Sequence, residues 1–289
     1  MNSSKNNELQ SSPFMGHGGH AGLGLEAIIL AGGLGTRLRS VVSDVPKCMA
    51  PVNGIPFIYF IITYLKKEGV ERFIFSVGYK SEIVIDYINK TFSDLDIAYV
   101  IEDTPLGTGG AIKLACSKAK SDDVLVLNGD TLFNIDLKSF SKFHTNKKAD
   151  FTVALKEMKN FSRYGAVEID KDFALKAFHE KTYCKKGFIN GGIYALHVNG
   201  FMNENLPDIF SFEKDFLERN IGKKKFYGLE CEYYFIDIGI PEDYDRFIND
   251  FNFIFDKSKY QNEDGASHVS NFIKEIFYEG LSSLINPFN

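Results

Sequence analysis

The chain has 289 residues, 44% of them hydrophobic, which suits one large α/β domain or two small ones. Its net charge of −5 argues against nucleic acid or an anionic membrane as a partner, so an anionic ligand must be held by a local site. No apolar run is long enough to span a bilayer, and four widely spaced cysteines predict reduced thiols in a cytoplasmic protein.

Residues 1–24 differ in composition from the rest of the chain. They are rich in Ser, Asn and Gly, show no hydrophobic periodicity and lack the apolar core of a signal peptide. We therefore expect a disordered leader or a cloning remnant there, whereas the pattern of a folded domain covers residues 25–255.

Residues 25–150 alternate between apolar strand-like runs and segments with helical spacing. EAIILA, RFIFSVG, DIAYVIE and DVLVLNGD predict four buried strands, and PFIYFIITYLKKEG, SEIVIDYINK and GGAIKLACSKAK predict the helices between them. This alternation indicates a parallel sheet, which binds ligands at the carboxyl ends of its strands. Three of those ends carry notable residues, namely a glycine loop, Glu102 and Asp130.

Residues 151–255 change to short strand-like pieces joined by turns. FTVALKEM, GAVEID, ALKAFHE and GFINGGIYALH predict a β-rich half, which we expect to share one sheet with residues 25–150 and to face them across a cleft. IPEDYDRFINDFNFIF then predicts a helix with an acidic first turn.

Residues 256–289 combine a polar linker with a helix whose apolar residues keep to one face. We expect this helix to pack on its own domain, with a homo-oligomer contact as the alternative. It lacks the basic polar face that a membrane-bound helix would need.

The glycine loop, LAGGLGTRL, ends the first predicted strand. Its glycines, Gly32, Gly33 and Gly35, would let backbone N–H groups converge on an anion. The loop is not a Walker A motif, because no Gly-Lys-Ser/Thr follows. It is not a dinucleotide fingerprint either, since Leu38 stands where the third glycine would be.

Two cations strengthen the phosphate interpretation of this loop. Arg37, after Thr36, can clamp phosphate oxygens with two parallel hydrogen bonds, and Lys47 can act as a mobile point charge. For Arg37 alone, a surface ion pair would be the ordinary interpretation.

Eight motifs in order then resemble the sugar-1-phosphate nucleotidyltransferases. They are AGGLGTRL with PKCMAPVNGIPFIYF, EDTPLGTGGAI, LNGD, RYGAVEID, FHEK, NGGIYAL, SFEKDF and YFIDIGIPEDY, and they span residues 26 to about 250. The resemblance implies a Rossmann-like three-layer α/β fold with a mixed, mainly parallel central sheet. It also implies a nucleotide-binding half, 25–150, and a sugar-phosphate-binding half, 151–255. Within the family, the pattern most resembles enzymes that use GTP and D-glycero-D-manno-heptose 1-phosphate.

The resemblance also assigns roles to individual residues. Those implied to bind the nucleotide are Leu30, Ala31, Gly32, Gly33, Gly35, Thr36, Arg37, Lys47, Glu102, Gly107, Thr108 and Asp130. Those implied to bind the sugar phosphate are Gly165, Glu180, Lys181, Asn190, Gly191 and Glu213. Arg37, Lys47 and Lys181 are the implied catalytic residues.

Asp130 and Asp237 each follow a predicted strand. An aspartate in this position is usually a turn former. The resemblance implies that the two together hold Mg²⁺, which takes few protein carboxylates and fills its shell with water and substrate phosphates. The reaction would be attack of a sugar 1-phosphate oxygen on the α-phosphorus of the nucleotide, with pyrophosphate leaving.

Several alternatives stay open at this point. Glu102 can accept two hydrogen bonds from guanine, but uracil keeps one ring N–H, so UTP is not excluded, and CTP is a further alternative. Mannose 1-phosphate is the nearest competing sugar. A catalytically silent, sugar-nucleotide-binding regulatory subunit is the alternative of another class, although such a chain would be expected to lose charged site residues.

Overall fold

The computed structural model describes residues 24–33, 35, 37–38, 40–42, 44–179 and 181–255. The predicted leader up to residue 23, the predicted C-terminal helix with its oligomer contact, Thr36 and Glu180 lie outside the described residues. The elements of the first half, in chain order, are β1 (Leu25–Leu30), β2 (Pro51–Val52), β3 (Ile55–Pro56), α1 (Phe57–Lys67), β4 (Val70–Val77), α2 (Ser81–Thr91), β5 (Asp96–Ile101), α3 (Gly107–Cys116), β6 (Asp123–Asn128), β7 (Thr131–Phe133) and α4 (Leu137–Lys147).

The second half is richer in strands, as its sequence predicts. Its elements are β8 (Phe151–Phe161), β9 (Ala166–Ile169), β10 (Leu175–Phe178), β11 (Cys184–His197), α5 (Val198–Met202), a π-helix (Phe212–Leu217), α6 (Glu218–Asn220), β12 (Phe226–Glu230), β13 (Phe235–Asp237) and α7 (Pro241–Phe255). None of the described helices is long and apolar enough to cross a membrane.

One sheet of nine described strands runs through both halves. β5, β4, β1 and β6 lie side by side and parallel. β11 pairs antiparallel with β6 and with β8 and β9, and β12 pairs parallel with β8. The predicted α/β fold with a mixed sheet is confirmed, and its two halves share that sheet.

The central strands β1, β4 and β6 are buried and apolar through their middles because both faces of the sheet are covered there. Within β1, Ala27 and Ile29 are fully buried in one core, and Ile28 is fully buried in the other. α1 and α7 contribute to the first core, whereas α3 and the π-helix contribute to the second. The sheet is therefore the middle of three layers, and its free strand ends are the places where polar side chains can meet a ligand.

Candidate active site

The glycine loop opens directly into a cavity of about 400 Å³. A β-carbon at Gly32 would lie 2.4 Å from the Glu102 carboxylate, so a larger residue would displace that side chain. Gly35 has a φ of +57°, and its β-carbon would lie 2.9 Å from that of Lys47. Glycine is therefore required at position 35 by the turn and by the close Lys47 side chain, whereas at position 32 it leaves room for the Glu102 carboxylate.

Seven of the residues assigned to the nucleotide line this nucleotide cavity. They are Leu30, Gly32, Gly33, Glu102, Gly107, Thr108 and Asp130. Ala31 is buried, with 5% of its surface exposed. Arg37 is exposed and is not among the described residues that line the cavity, so its role as a phosphate clamp stays a prediction.

Glu102 is held in place by hydrogen bonds to both of its carboxylate oxygens. The Ser76 hydroxyl donates to Oε1 at 3.0 Å, and the Leu106 N–H donates to Oε2 at 3.2 Å. Because each oxygen has a further lone pair, the side chain can still accept hydrogen bonds from a ligand. Ser76 is a site residue that the sequence analysis does not identify. Its only signal is a polar residue near the end of the apolar run RFIFSVG.

A short ribbon brings the two aspartates together. β7 follows Asp130 and pairs antiparallel with β13, so that Asp237 lies opposite Thr131. The Ile238 N–H donates to the carbonyl oxygen of Asp130 at 3.0 Å, which closes the ribbon beside the carboxylates. The structure therefore brings the two aspartates together, and their role as metal ligands stays a prediction.

Lys47 lies between these two carboxylates. Its ammonium donates a hydrogen bond to Oδ2 of Asp130 and lies 3.6 Å from Oδ1 of Asp237. Burial raises the pKa of the Asp237 carboxyl, and the Asp130 carboxylate raises it further, whereas Lys47 and the N–H of Gly239 lower it. The arrangement stabilises positive charge between the carboxylates.

The same carboxylates fit a divalent cation. Their oxygens are hard ligands, and the Lys47 ammonium already shows that a cation is attracted there. Within the described residues, no group of three or more His, Cys, Asp or Glu side chains forms a metal cage. A site with two carboxylates suits Mg²⁺, which keeps water and substrate oxygens in its shell.

A second cavity, of about 520 Å³, lies on the other side of the carboxylate pair and is called here the sugar cavity. It contains every described residue that the sequence assigns to the sugar phosphate, namely Gly165, Lys181, Asn190, Gly191 and Glu213. Asp237 and Asn128 also line it, and Asn128 lines the nucleotide cavity as well. The two cavities therefore meet at Asn128, with Asp130 on one side and Asp237 on the other.

Asn190 organises one wall of the sugar cavity. Its amide nitrogen donates to the Tyr194 hydroxyl at 2.9 Å and to Oε1 of Glu213 at 3.0 Å. Its amide oxygen accepts the N–H of Gly192 at 2.9 Å, where the register of β11 against β8 shifts and φ is +74°. Asn190 is thus fixed by a bulge in β11, which turns its side chain toward Glu213.

Further residues line the sugar cavity without a role assigned to them from the sequence, although all but Glu218 lie within the motifs given above. They are Tyr164, Phe178, His179, Lys214 and Glu218, and Nε2 of His179 lies 2.8 Å from Oε1 of Glu168. Lys214 and Glu218 belong to the π-helix and its continuation. π-Helices are rare overall, but those that occur are often found at functional sites. The short span of this one leaves no periodic signal in the sequence.

The fold and the site together define a nucleotidyl transferase. Residues 26–251 match the Nucleotidyl transferase family, and the chain belongs to that family. Enzymes of this family typically use a divalent metal ion.

Relatives within the family are more specific. The chain is 51% identical over 220 residues to the D-glycero-alpha-D-manno-heptose 1-phosphate guanylyltransferase of Aneurinibacillus thermoaerophilus, which covers 76% of this chain and 95% of that protein. It is 47% identical to the protein of the same name from Campylobacter jejuni, over 78% of this chain and 99% of that one. The crystal structure of HddC from Yersinia pseudotuberculosis matches with a TM-score of 0.71 and 40% identity, covering 78% of this chain and 99% of that one. This protein is therefore an enzyme of the nucleotidyl transferase family, and it is similar to the heptose 1-phosphate guanylyltransferases.

Proposed function

We propose that the protein transfers a guanylyl group from GTP to D-glycero-D-manno-heptose 1-phosphate, giving the GDP-sugar and pyrophosphate. The observation that carries this proposal is the meeting of two cavities at a carboxylate pair with a lysine between them. The choice of substrates is supported by the relatives named above and by a structure of HddC complexed with GMP-PN. We further propose that the product serves the synthesis of a surface polysaccharide.

Glu102 is proposed to select guanine. An ionised carboxylate accepts hydrogen bonds and donates none, and guanine offers adjacent N1–H and N2 amino donors. Cytosine offers only its amino group, and adenine presents an acceptor at N1, so both should bind poorly. Because Ser76 and Leu106 fix the carboxylate before the base arrives, little side-chain freedom is lost on binding.

The catalytic residues are proposed to act by charge and position. The sugar phosphate oxygen that attacks is already anionic, so the site needs to hold two polyanions together and to neutralise charge at the α-phosphoryl group. Arg37 and the N–H groups of the glycine loop would bind the triphosphate. Lys47 would lie beside the α-phosphate, and Lys181 would hold the attacking phosphate.

Asp130 and Asp237 are proposed to hold Mg²⁺. When bound, the metal would neutralise charge on the reacting phosphates. The carboxylates would keep it where the two cavities meet, and the Lys47 ammonium, which now lies between them, would be free to contact phosphate.

The decisive experiment is a pyrophosphate-release assay of four nucleoside triphosphates against a panel of sugar 1-phosphates. We expect GTP with the heptose to give the highest kcat/KM. Mannose 1-phosphate should be a poor but detectable substrate, because a pocket discriminates one missing carbon by only about 1–3 kcal/mol unless it pairs with the extra hydroxyl. A higher kcat/KM for UTP would overturn the role of Glu102, and a higher value for mannose 1-phosphate would overturn the choice of sugar.

The location of the reaction is a separate prediction. The four cysteines are free thiols in the structure, as the sequence predicts. A cytoplasmic location stays a prediction, and fractionation of cells that produce the protein would test it.

A further inference from the structure

The residue that precedes Glu213 of the sugar cavity is hydrogen-bonded through its backbone to a side chain of the nucleotide cavity. The Phe212 N–H donates to the hydroxyl oxygen of Thr108 at 3.1 Å. Thr108 belongs to the first turn of α3 and lines the nucleotide cavity, whereas Phe212 is the first residue of the π-helix. The bond therefore joins two elements that serve different substrates.

The first N–H groups of any helix have no acceptor inside that helix. At the π-helix, the Ser211 hydroxyl accepts the N–H of Lys214 at 3.3 Å. Oδ2 of Asp215 accepts the N–H of Ser211 at 2.9 Å. Thr108 supplies a third acceptor, and it does so from a different helix, so part of the π-helix cap is built into the nucleotide cavity.

The chain segment before the π-helix is also packed tightly on the start of α3. The Phe210 N–H donates to the Leu106 carbonyl, and the Gly109 N–H donates to the Phe210 carbonyl, each at 3.0 Å. A β-carbon at Gly109 would lie 2.2 Å from the Phe210 ring, so only glycine allows this approach. The Thr108 hydroxyl is thus held at a fixed distance from the π-helix.

Glu213 follows Phe212 directly and faces the sugar cavity, where it contacts Asn190 at 3.0 Å. A small cavity of about 70 Å³ is lined by both Thr108 and Glu213. A shift of the first turn of the π-helix would therefore move the Glu213 carboxylate away from Asn190.

We propose that Thr108 is a positioning residue for the sugar cavity: by capping the π-helix, its hydroxyl fixes Glu213 for the sugar phosphate. The sequence resemblance assigns Thr108 to the nucleotide alone. The inference rests on the proposed function, because it takes the second cavity as the sugar-phosphate site.

The test measures the KM for the sugar 1-phosphate and the KM for GTP in variants of Thr108. Thr108→Val keeps the shape of the side chain and removes the acceptor. We expect the KM for the sugar 1-phosphate to rise by about 3- to 10-fold, the effect of one hydrogen bond, and the KM for GTP to rise by less. Thr108→Ser, which keeps the hydroxyl, should restore the wild-type KM. Thr104→Val, at an exposed threonine four residues earlier, is the matched control.

A double-mutant cycle checks that the effect passes through Glu213. In a Glu213→Gln background, Thr108→Val should change the sugar-phosphate KM by less than it does in the wild type, because the group that it positions is already altered. Equal fold-changes in both backgrounds would overturn the proposal. The proposal would also be overturned if the KM for GTP rose as much as the KM for the sugar 1-phosphate, or more. It would fail as well if neither Thr108→Val nor Thr108→Ala changed the KM for the sugar 1-phosphate.

The activity of the wild-type enzyme distinguishes a failure of the proposed function from a failure of the proposed role of Thr108. If it releases no pyrophosphate with GTP and any sugar 1-phosphate, the proposed function fails. If it is active and Thr108→Val has a normal sugar-phosphate KM, the positioning role alone fails.

Discussion

The nucleotide cavity and the sugar cavity are built in different ways. The nucleotide cavity lies at the ends of parallel strands, and glycines form much of its wall, with one carboxylate fixed by Ser76 and Leu106. The sugar cavity is larger and is lined by long side chains from several elements, among them Lys181, Glu213 and Lys214. We infer that selectivity for the base depends on one residue, whereas selectivity for the sugar is spread over many.

The two aspartates lie at the junction of the cavities, Asp130 lining one and Asp237 the other, and their loss should have the largest effect. Asp130→Asn and Asp237→Asn should each nearly abolish turnover with Mg²⁺, since a lost metal ligand costs several kcal/mol of transition-state stabilisation. The measurement is kcat with both substrates saturating. Asp94→Asn, at an exposed aspartate paired with Lys66, is the control. Near-normal kcat in either junction variant would show that its aspartate is not a ligand.

Glu102 tests whether one residue carries base selectivity. Glu102→Gln places an amide donor toward the donors of guanine, so kcat/KM for GTP should fall by about 10- to 150-fold, or roughly 1.5–3 kcal/mol. ITP lacks the 2-amino group, and the preference for GTP over ITP should shrink at the same time.

The control is Asp103→Asn, at the adjacent exposed carboxylate. An unchanged ratio of GTP to ITP in Glu102→Gln would mean that the 2-amino group is read elsewhere.

Substitutions of the two lysines should change different kinetic constants, because each lysine serves a different part of the site. Lys47 lies at the junction, so Lys47→Ala should mainly lower kcat, whereas Lys181→Ala should mainly raise the KM for the sugar phosphate. Each lost charged contact is worth roughly 1.5–3 kcal/mol. Steady-state kinetics with each substrate varied in turn measures the split, and Lys185→Ala, at an exposed lysine of β11, is the control. Equal effects of both variants on GTP binding alone would contradict this division.

The smallest effect is expected at the opposite end of the sheet, far from both cavities. At the start of β6, Asp123 lies 2.8 Å from Nδ1 of His197 and 3.6 Å from Nε2 of His144. Although burial raises the pKa of the Asp123 carboxyl, the neighbouring imidazoles of His144 and His197 outweigh it and lower that pKa. The contact therefore stabilises the fold above the unfolded pKa of the carboxyl, and this contribution is lost as pH falls through the lowered value.

Asp123→Asn should accordingly reduce the free energy of unfolding by about 1 kcal/mol or less near neutral pH, because the pair is partly exposed. The deficit should begin to shrink below about pH 4, the usual pKa of aspartate, and should vanish once the pH is below the lowered pKa of Asp123. Urea unfolding at several pH values measures it, with kcat expected to stay at the wild-type value. A loss of activity without a loss of stability would show that this end of the sheet is coupled to the cavities.

Much of the fold could be predicted from the sequence because the decisive patterns are local. Strands buried on both faces read as apolar runs, and β1, β4, β5 and β6 all occur where those runs predict them. α4 is not among the predicted helices, although Leu137, Phe140 and Phe143 share one buried face and Asp136 caps it by accepting the Ser139 N–H. The many polar residues of that segment obscure the apolar spacing.

For the site, strand ends predicted the positions of the glycine loop, Glu102 and Asp130. The contact of Lys47 with Asp130 joins residues 83 positions apart and depends on how a loop folds over the sheet. The bond between Ser76 and Glu102 depends on the parallel register of β4 and β5. Neither kind of contact leaves a pattern in a single sequence.

The strand order also has a consequence for the chain as it leaves the ribosome. β6 lies between β1 and β11, so its second edge stays unpaired until residue 197 has emerged, about seventy residues after β6 itself. That edge, Val124–Leu127, is apolar and is a template for pairing with other chains. We therefore expect nascent chains that end before β11 to aggregate or to bind chaperones. A step in protease resistance should appear only when arrested chains include β11, and resistance gained at shorter lengths would contradict this order of assembly.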